Sequence, residues 1–111
     1  MARPSFIELP VADTGKAKAF YADAFGWELT DFGQSYACTM TGDVDVGLQG
    51  DAGQATKAVL VVIAVENVEA ALRSVINAGG VITRPIFAFP GGRRFHFRDP
   101  GGNELAAYQT D

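Results

Sequence analysis

Glu8 lies in the run Phe6-Ile7-Glu8-Leu9-Pro10-Val11, and His96, the only histidine of the chain, lies between Phe95 and Phe97. Glu104 opens the run Glu104-Leu105-Ala106-Ala107-Tyr108. All three sit in strand-like sequence, where successive side chains point to opposite faces. Phe6 therefore shares a face with Glu8, Arg94 with His96 and Arg98, and Glu104 with Ala106 and Tyr108. A carboxyl group withdrawn from water holds its proton more tightly, which suits a general acid or base near neutrality. Glu8, with His96 as proton partner or counter-ion, is the catalytic pair these residue types offer. Two carboxylates and an imidazole also form an adequate donor set, so Glu8, His96 and Glu104 are the metal ligands if a metal is bound. A plainer reading stands beside each. A strand Glu often faces solvent, Glu104 can brace the turn before it, and a lone His is often structural. Arg94 is an anion anchor or a solvated charge.

These residues must be positioned by a strand-and-helix framework that the sequence states twice. Residues 6–11 read as a strand, Asp13 as a helix N-cap, and residues 14–24 as a helix whose Ala17, Phe20, Tyr21 and Ala24 make an apolar face. Gly26 stops the helix, and Trp27-Glu28-Leu29-Thr30 follows as a strand. Later, Leu60 to Val65 reads as a strand, Asn67 as an N-cap, and residues 68–77 as a helix with Val68, Ala71, Leu72 and Val75 inward. Gly79-Gly80 stops it. The two statements superimpose without gaps at an offset of about 54 residues, Val11 on Val65, Asp13 on Asn67 and Gly26 on Gly80. Each helix is followed by hairpin material. Residues 36–40 and 44–48 flank Thr41-Gly42-Asp43, and residues 82–89 and 93–98 flank Pro90-Gly91-Gly92. The last strand, residues 104–109, is entered through Asp99-Pro100-Gly101-Gly102-Asn103, whose Asp and Asn are expected to hydrogen-bond their own turn. Phe25, Trp27, Phe32 and Tyr36 are expected in the core, or stacked on a flat ligand.

Composition narrows the function classes. The chain has 111 residues, 48% of them hydrophobic, enough for one domain with its own core. A domain this small still exposes much surface, which favours a homodimer. The formal net charge of −4 argues against nucleic-acid binding, which needs clustered Lys and Arg. The short basic group Arg93-Arg94 with Arg98 suits an anionic small molecule at most. One cysteine, Cys38, makes no internal disulfide and is expected to pack as a small hydrophobe, consistent with a reducing, cytoplasmic location. No apolar stretch follows Met1-Ala2-Arg3-Pro4-Ser5 as in a signal peptide, and the run from Ala58 to Val65 is far too short to span a membrane. No phosphate loop, Cys-x-x-Cys pair or nucleophile elbow is present.

The runs FIELPVAD at residues 6–13, AFYADAFGW at 19–27 and DPGGNEL at 99–105 resemble the vicinal-oxygen-chelate superfamily of glyoxalases, bleomycin-resistance proteins and extradiol dioxygenases. The resemblance covers nearly the whole chain. It implies an α+β fold, one glyoxalase-like domain over residues 1–111, built from two βαβββ modules (residues 5–50 and 56–111) whose curved mixed sheets enclose a cavity. It also implies a divalent metal in many members, held by His and Glu on the cavity-facing strands. Carried over, those positions are Phe6, Leu60 and Ala106, none of which can ligate a metal. The resemblance thus points first to a metal-free small-molecule binder, as in the bleomycin-resistance branch. Phe6, Glu8, Leu60, Val62, Arg94, Glu104, Ala106 and Tyr108 would line its ligand site, and a flat cationic guest would suit the net charge. Second is a glyoxalase-like lyase or isomerase using Glu8 with His96 and Glu104, metal-assisted or by acid–base chemistry, a dioxygenase being further off. Third is a partner-binding regulatory domain.

Overall fold

A computed structural model describes residues 2–111. Among these are eight strands and two helices: β1 (Arg3–Pro10), α1 (Thr14–Phe25), β2 (Thr30–Asp31), β3 (Tyr36–Cys38), β4 (Asp45–Gln49), β5 (Leu60–Ala64), α2 (Val68–Asn77), β6 (Val81–Phe89), β7 (Gly92–Arg98) and β8 (Glu104–Thr110). They divide into two compact units, residues 6–60 and residues 61–111 with 2–5.

In the unit of residues 6–60, β1 pairs in parallel with β4, and β3 joins β4 to β2 through antiparallel ladders. The strand order is thus β1-β4-β3-β2. Leu29, Ala37 and Leu48 form its buried core, with Leu9, Val11, Ala17, Tyr21, Trp27 and Val46 packed around them. Leu9, Leu48 and Ala37 are directly opposite one another in the ladders, so this is the sheet face that α1 covers. The other face carries Phe6 and Glu8.

The unit of residues 61–111 repeats the wiring. β5 pairs in parallel with β8, and β7 joins β8 to β6 antiparallel, giving β5-β8-β7-β6. Val68, Phe95 and Ala107 are its buried core, against Val65, Ala71, Leu72, Val75, Ile82, Ile86 and Phe97. The helix of each unit starts the same way. Asp13 has φ −142° and accepts from the Lys16 amide, and Asn67 has φ −139° and accepts from the Ala70 amide. Each cap satisfies an orphan N–H of the first turn.

The expected elements differ from the observed ones in four places. The gapless superposition slips by one residue at the helix ends. The left-handed residue matching Gly26 (φ 71°) is Gly79 (φ 100°), not Gly80, because α2 is two residues shorter than α1, ending at Asn77 with Ala78 as its C-cap. The segment Trp27–Thr30 is not a strand; only Thr30 and Asp31 pair with β3. Leu29 is instead buried in the core, and the Trp27 ring stacks on Tyr21, centroids 5.1 Å apart. On α1, Ala17 and Tyr21 face inward, but Phe20 does not and is 60% exposed. Phe25 and Phe32 are also exposed rather than core: Phe25 lies over the outer side of the Tyr21–Trp27 stack, and Phe32 follows the two-residue β2 with no neighbouring strand to cover it.

Candidate functional site

The helix-free face of each unit holds the ionisable residues. In the unit of residues 6–60, Glu8 is directly opposite Gly47, which is opposite Cys38. Glu8 is 3% exposed, and the Tyr36 hydroxyl donates to its Oε2 at 3.2 Å. A side chain at residue 47 would block that reach. A Cβ built on Gly47 would lie 2.2 Å from the Tyr36 hydroxyl and 2.7 Å from the Phe6 ring. Gly47 is therefore what lets Tyr36 and Phe6 lie across β4. Cys38 is buried, and burial first, then the Asp45 charge, pushes its thiol pKa upward. A thiol in that state is inert packing.

In the unit of residues 61–111, one ladder row runs Val62, Ala106, His96, Arg84, and the next runs Ala64, Tyr108, Arg94, Phe87. Residues directly opposite on neighbouring strands share a face. That face is the one without α2, because Phe95, Phe97 and Ala107 alternate onto the other and meet the helix. Phe87, on the edge strand β6, meets three of its side chains. The Arg84 guanidinium lies 3.7 Å from the Phe87 ring centroid, and Arg94 lies 5.3 Å from Phe87 and 5.5 Å from Phe89. The His96 and Phe87 rings are 5.9 Å apart, and Ser5 Oγ lies 3.3 Å from the Tyr108 hydroxyl.

His96 is 2% exposed. Its Nδ1 lies 3.2 Å from Glu104 Oε2, an oxygen that also accepts from the Thr83 hydroxyl at 3.3 Å. Burial lowers the imidazole pKa below its ordinary value of 6.5; the bond to Glu104 works against this, and the Arg94 and Arg84 charges add to it. The ring is thus neutral at pH 7. A carboxylate can only accept, so the single ring proton sits on Nδ1. Nε2 is left as an acceptor, and it is buried with no hydrogen-bond partner among the described residues.

The expected residues therefore fall as follows. His96 and Glu104 are in direct contact, and Arg94 and Tyr108 adjoin them. Glu8 belongs to the other unit and is bonded to Tyr36. Leu60, Val62 and Ala106 are buried hydrocarbon. Glu104 does not brace the Asp99–Asn103 turn. Asp99 does that itself, accepting from the Asn103 amide at 2.9 Å and its Nδ2 at 3.0 Å, bonds that hold its carboxyl below the usual range. The basic group splits across the sheet. Arg93 points to the helix side and forms a two-pronged pair with Glu69 on α2, leaving only Arg94 and Arg98 on the other face.

Thr83, Arg84, Phe87 and Phe89 were not singled out by sequence reasoning. Strict alternation places Arg84 and Phe87 on opposite faces, yet both reach the helix-free one. The β6–β7 register shifts between Ile82 and Arg84 and again between Arg84 and Phe87. Such irregularities re-aim side chains, and Pro85, which cannot donate to a ladder, was the available signal.

A metal would need donors that these positions do not supply. Phe6, Leu60 and Ala106 offer hydrocarbon only, and among the described residues no group of three or more His, Cys, Asp or Glu could hold a metal ion. The residues present do not fit the metal implied by the family resemblance.

Comparison with known proteins agrees with the fold just described. The chain belongs to the glyoxalase/bleomycin resistance protein/dioxygenase superfamily, which it matches over residues 3–107. Its structure is similar to that of an NAD-dependent benzaldehyde dehydrogenase from Legionella pneumophila (TM-score 0.79, 17% identity, 97% of this chain and 100% of that one). It is also similar to a hypothetical protein from Bacillus halodurans C-125 (TM-score 0.80, 13% identity, 99% and 95%). A third is a superfamily member from Vibrio splendidus 12B01 (TM-score 0.72, 18% identity, 98% and 99%). At these identities the likeness is one of fold. Among curated proteins none matches. No helix of the described residues is long and apolar enough to cross a membrane.

Proposed function

We propose that this chain is a small-molecule-binding member of its superfamily that works without the metal. The observation that carries this reading is the replacement of metal-donor positions by Phe6, Leu60 and Ala106, on faces that nevertheless hold buried polar groups. Burying a polar group costs free energy unless it is hydrogen-bonded; Glu8 accepts from Tyr36 and His96 is held by Glu104, and both are buried on the faces where the ligand is expected. Arg94, Glu104 and Tyr108 are half-buried beside His96, as ligand-contacting groups are. The test is a thermal-shift screen of small organic acids, amines and carbonyl compounds in buffer containing a chelator. A compound held at about a hundred times its dissociation constant adds about 2.7 kcal/mol to stability. A saturable shift that survives the chelator supports the reading, and a screen in which only metals shift the transition overturns it. A homodimer belongs to the same proposal and is read by sedimentation equilibrium.

A second reading, acid–base catalysis, is favoured by the contact between His96 and Glu104. A neutral imidazole whose Nδ1 proton is held by a carboxylate presents Nε2 as a base, the arrangement proton abstraction beside a carbonyl requires. Turnover of a carbonyl compound that is lost in His96→Phe would establish it.

A further inference from the structure

His96 Nε2 is an acceptor by elimination, since Nδ1 carries the proton toward Glu104. It is buried on the helix-free face, and no described residue donates to it. A buried acceptor without a donor keeps the full cost of its lost hydration. An O–H or N–H group brought in by a ligand removes that cost. A carboxylate, ether or carbonyl oxygen cannot, because none of them donates.

The walls beside the imidazole restrict what carries the donor. On one side the ladder row continues as Ala106 and Val62, both buried and both hydrocarbon alone. A charged guest would have to shed its hydration against them, which is costly. On the other side the half-buried Phe87 ring is tilted against His96 at 5.9 Å, and Phe89 against Tyr108 at 6.3 Å. Rings tilted against one another in this way accept a further ring among them. Phe87 is also the wall that can yield. It stands on β6, the last strand of the sheet, and the ladder from β6 to β7 shifts register on either side of Arg84.

Resting on the small-molecule reading above, we propose that this face takes an uncharged aromatic ligand with a hydrogen-bond donor, an aryl O–H or a ring N–H. The donor enters past Phe87 and bonds His96 Nε2, and the ring lies between Phe87 and the hydrocarbon of Ala106 and Val62. An aryl O–H, with an ordinary pKa of about 10, keeps its proton at neutral pH, whereas a carboxylic acid has lost its own. Glu104 is a positioning residue: it holds the proton on Nδ1 and so makes Nε2 an acceptor. The Thr83 hydroxyl donates to the same Glu104 oxygen at 3.3 Å and holds it in turn.

The chain has one histidine, so the imidazole nitrogen spectrum of the labelled protein has a single source. In the free protein the protonated nitrogen is Nδ1. Phenol is titrated beside anisole, and indole beside 1-methylindole; in each pair the second compound keeps the ring and loses the donor. In at least one pair the donor compound shifts the Nε2 resonance and binds roughly tenfold more tightly, the worth of about one hydrogen bond. His96→Phe abolishes that preference while the affinity of the methylated partner holds. Glu104→Gln lets the proton distribute over both ring nitrogens, seen in the same spectrum, and narrows the preference. A proton found on Nε2 in the free wild type, or equal affinity within both pairs, overturns the proposal without needing either variant to fold. If none of these compounds binds but others stabilise the protein in the thermal-shift screen, the ligand class is wrong and the small-molecule reading stands. If no small molecule stabilises it, both fall.

Discussion

Gly47 and Tyr36 fit together as a notch and its filler: the Tyr36 hydroxyl crosses β4 only 2.2 Å from where a Cβ on residue 47 would be, and ends on Glu8. Gly47→Ala therefore has to push Tyr36 off the Glu8 carboxylate or displace the Phe6 ring. The expected cost is about 1–3 kcal/mol, the range for overpacking a tight site. Tyr36→Phe alone loses the hydrogen bond, and the double variant is less destabilised than the sum of the two, because the hydroxyl that clashes is already gone. Denaturant melts of the four proteins measure this.

Stability falls with acid in a window set by His96. The folded pKa is lowered by burial, against an unfolded value of about 6.5. Between the two, the unfolded chain binds the proton and the folded chain does not, so unfolding stability rises with pH. The contribution is complete above about 6.5 and is lost as pH drops through the folded pKa. The groups acting on His96 are Glu104, Arg94 and Arg84. Urea midpoints between pH 7.5 and 5 decline in the wild type and flatten in His96→Phe. As His96 is the only histidine, no other imidazole contributes to the difference.

Asp45 anchors the β3–β4 connection. Its carboxylate accepts from the Thr39 hydroxyl at 2.7 Å, the Thr41 amide at 2.7 Å, the Thr41 hydroxyl at 2.8 Å and the Gly42 amide at 3.0 Å. Burial alone would raise its pKa, but these bonds together lower it below 3.8. Asp45→Ala is expected to cost about 1–3 kcal/mol, as for hydrogen bonds to a charged group. The stability it supplies is present above pH 3.8 and fades as pH falls through its folded value. Thermal melts of Asp45→Ala beside the wild type at pH 7 and at pH 3 check this: the gap between them narrows at the lower pH.

The caps give a smaller and symmetric effect. Asn67→Ala and Asp13→Ala each remove the acceptor for one first-turn amide, at a cost of about 1 kcal/mol. The sites are in different units, so the two losses should add. Non-additivity by more than about half a kcal/mol would show coupling between the helix starts.

Much of the framework was legible because local chemistry dictates it. Asp13, Asn67 and Gly26 name the helix ends by hydrogen-bonding capacity and by tolerance of positive φ, and alternation grouped Phe6 with Glu8, Arg94 with His96, and Glu104 with Ala106 and Tyr108. What could not be read is where tertiary packing wins. Phe20, Phe25 and Phe32 are apolar by type, yet Tyr21 and Trp27 take the inward positions and leave them at the surface. The β6 irregularity around Pro85 brings Arg84 and Phe87 to one face against simple parity. The contact between His96 and Glu104 depends on β7–β8 register, which spacing alone does not fix. The glycine notch beneath Tyr36 needs the packed sheet to be seen at all.

The claim at the centre is that the protein holds and uses no metal, and metal binding tests it most directly. The untagged protein is dialysed separately against Mn, Fe, Co, Ni and Zn, freed of unbound ion, assayed for metal, and melted. The account predicts substoichiometric metal in every case and an unchanged melting temperature. One equivalent of any ion, with the several-degree rise that about 1 kcal/mol of added stability gives a domain of this size, would contradict it.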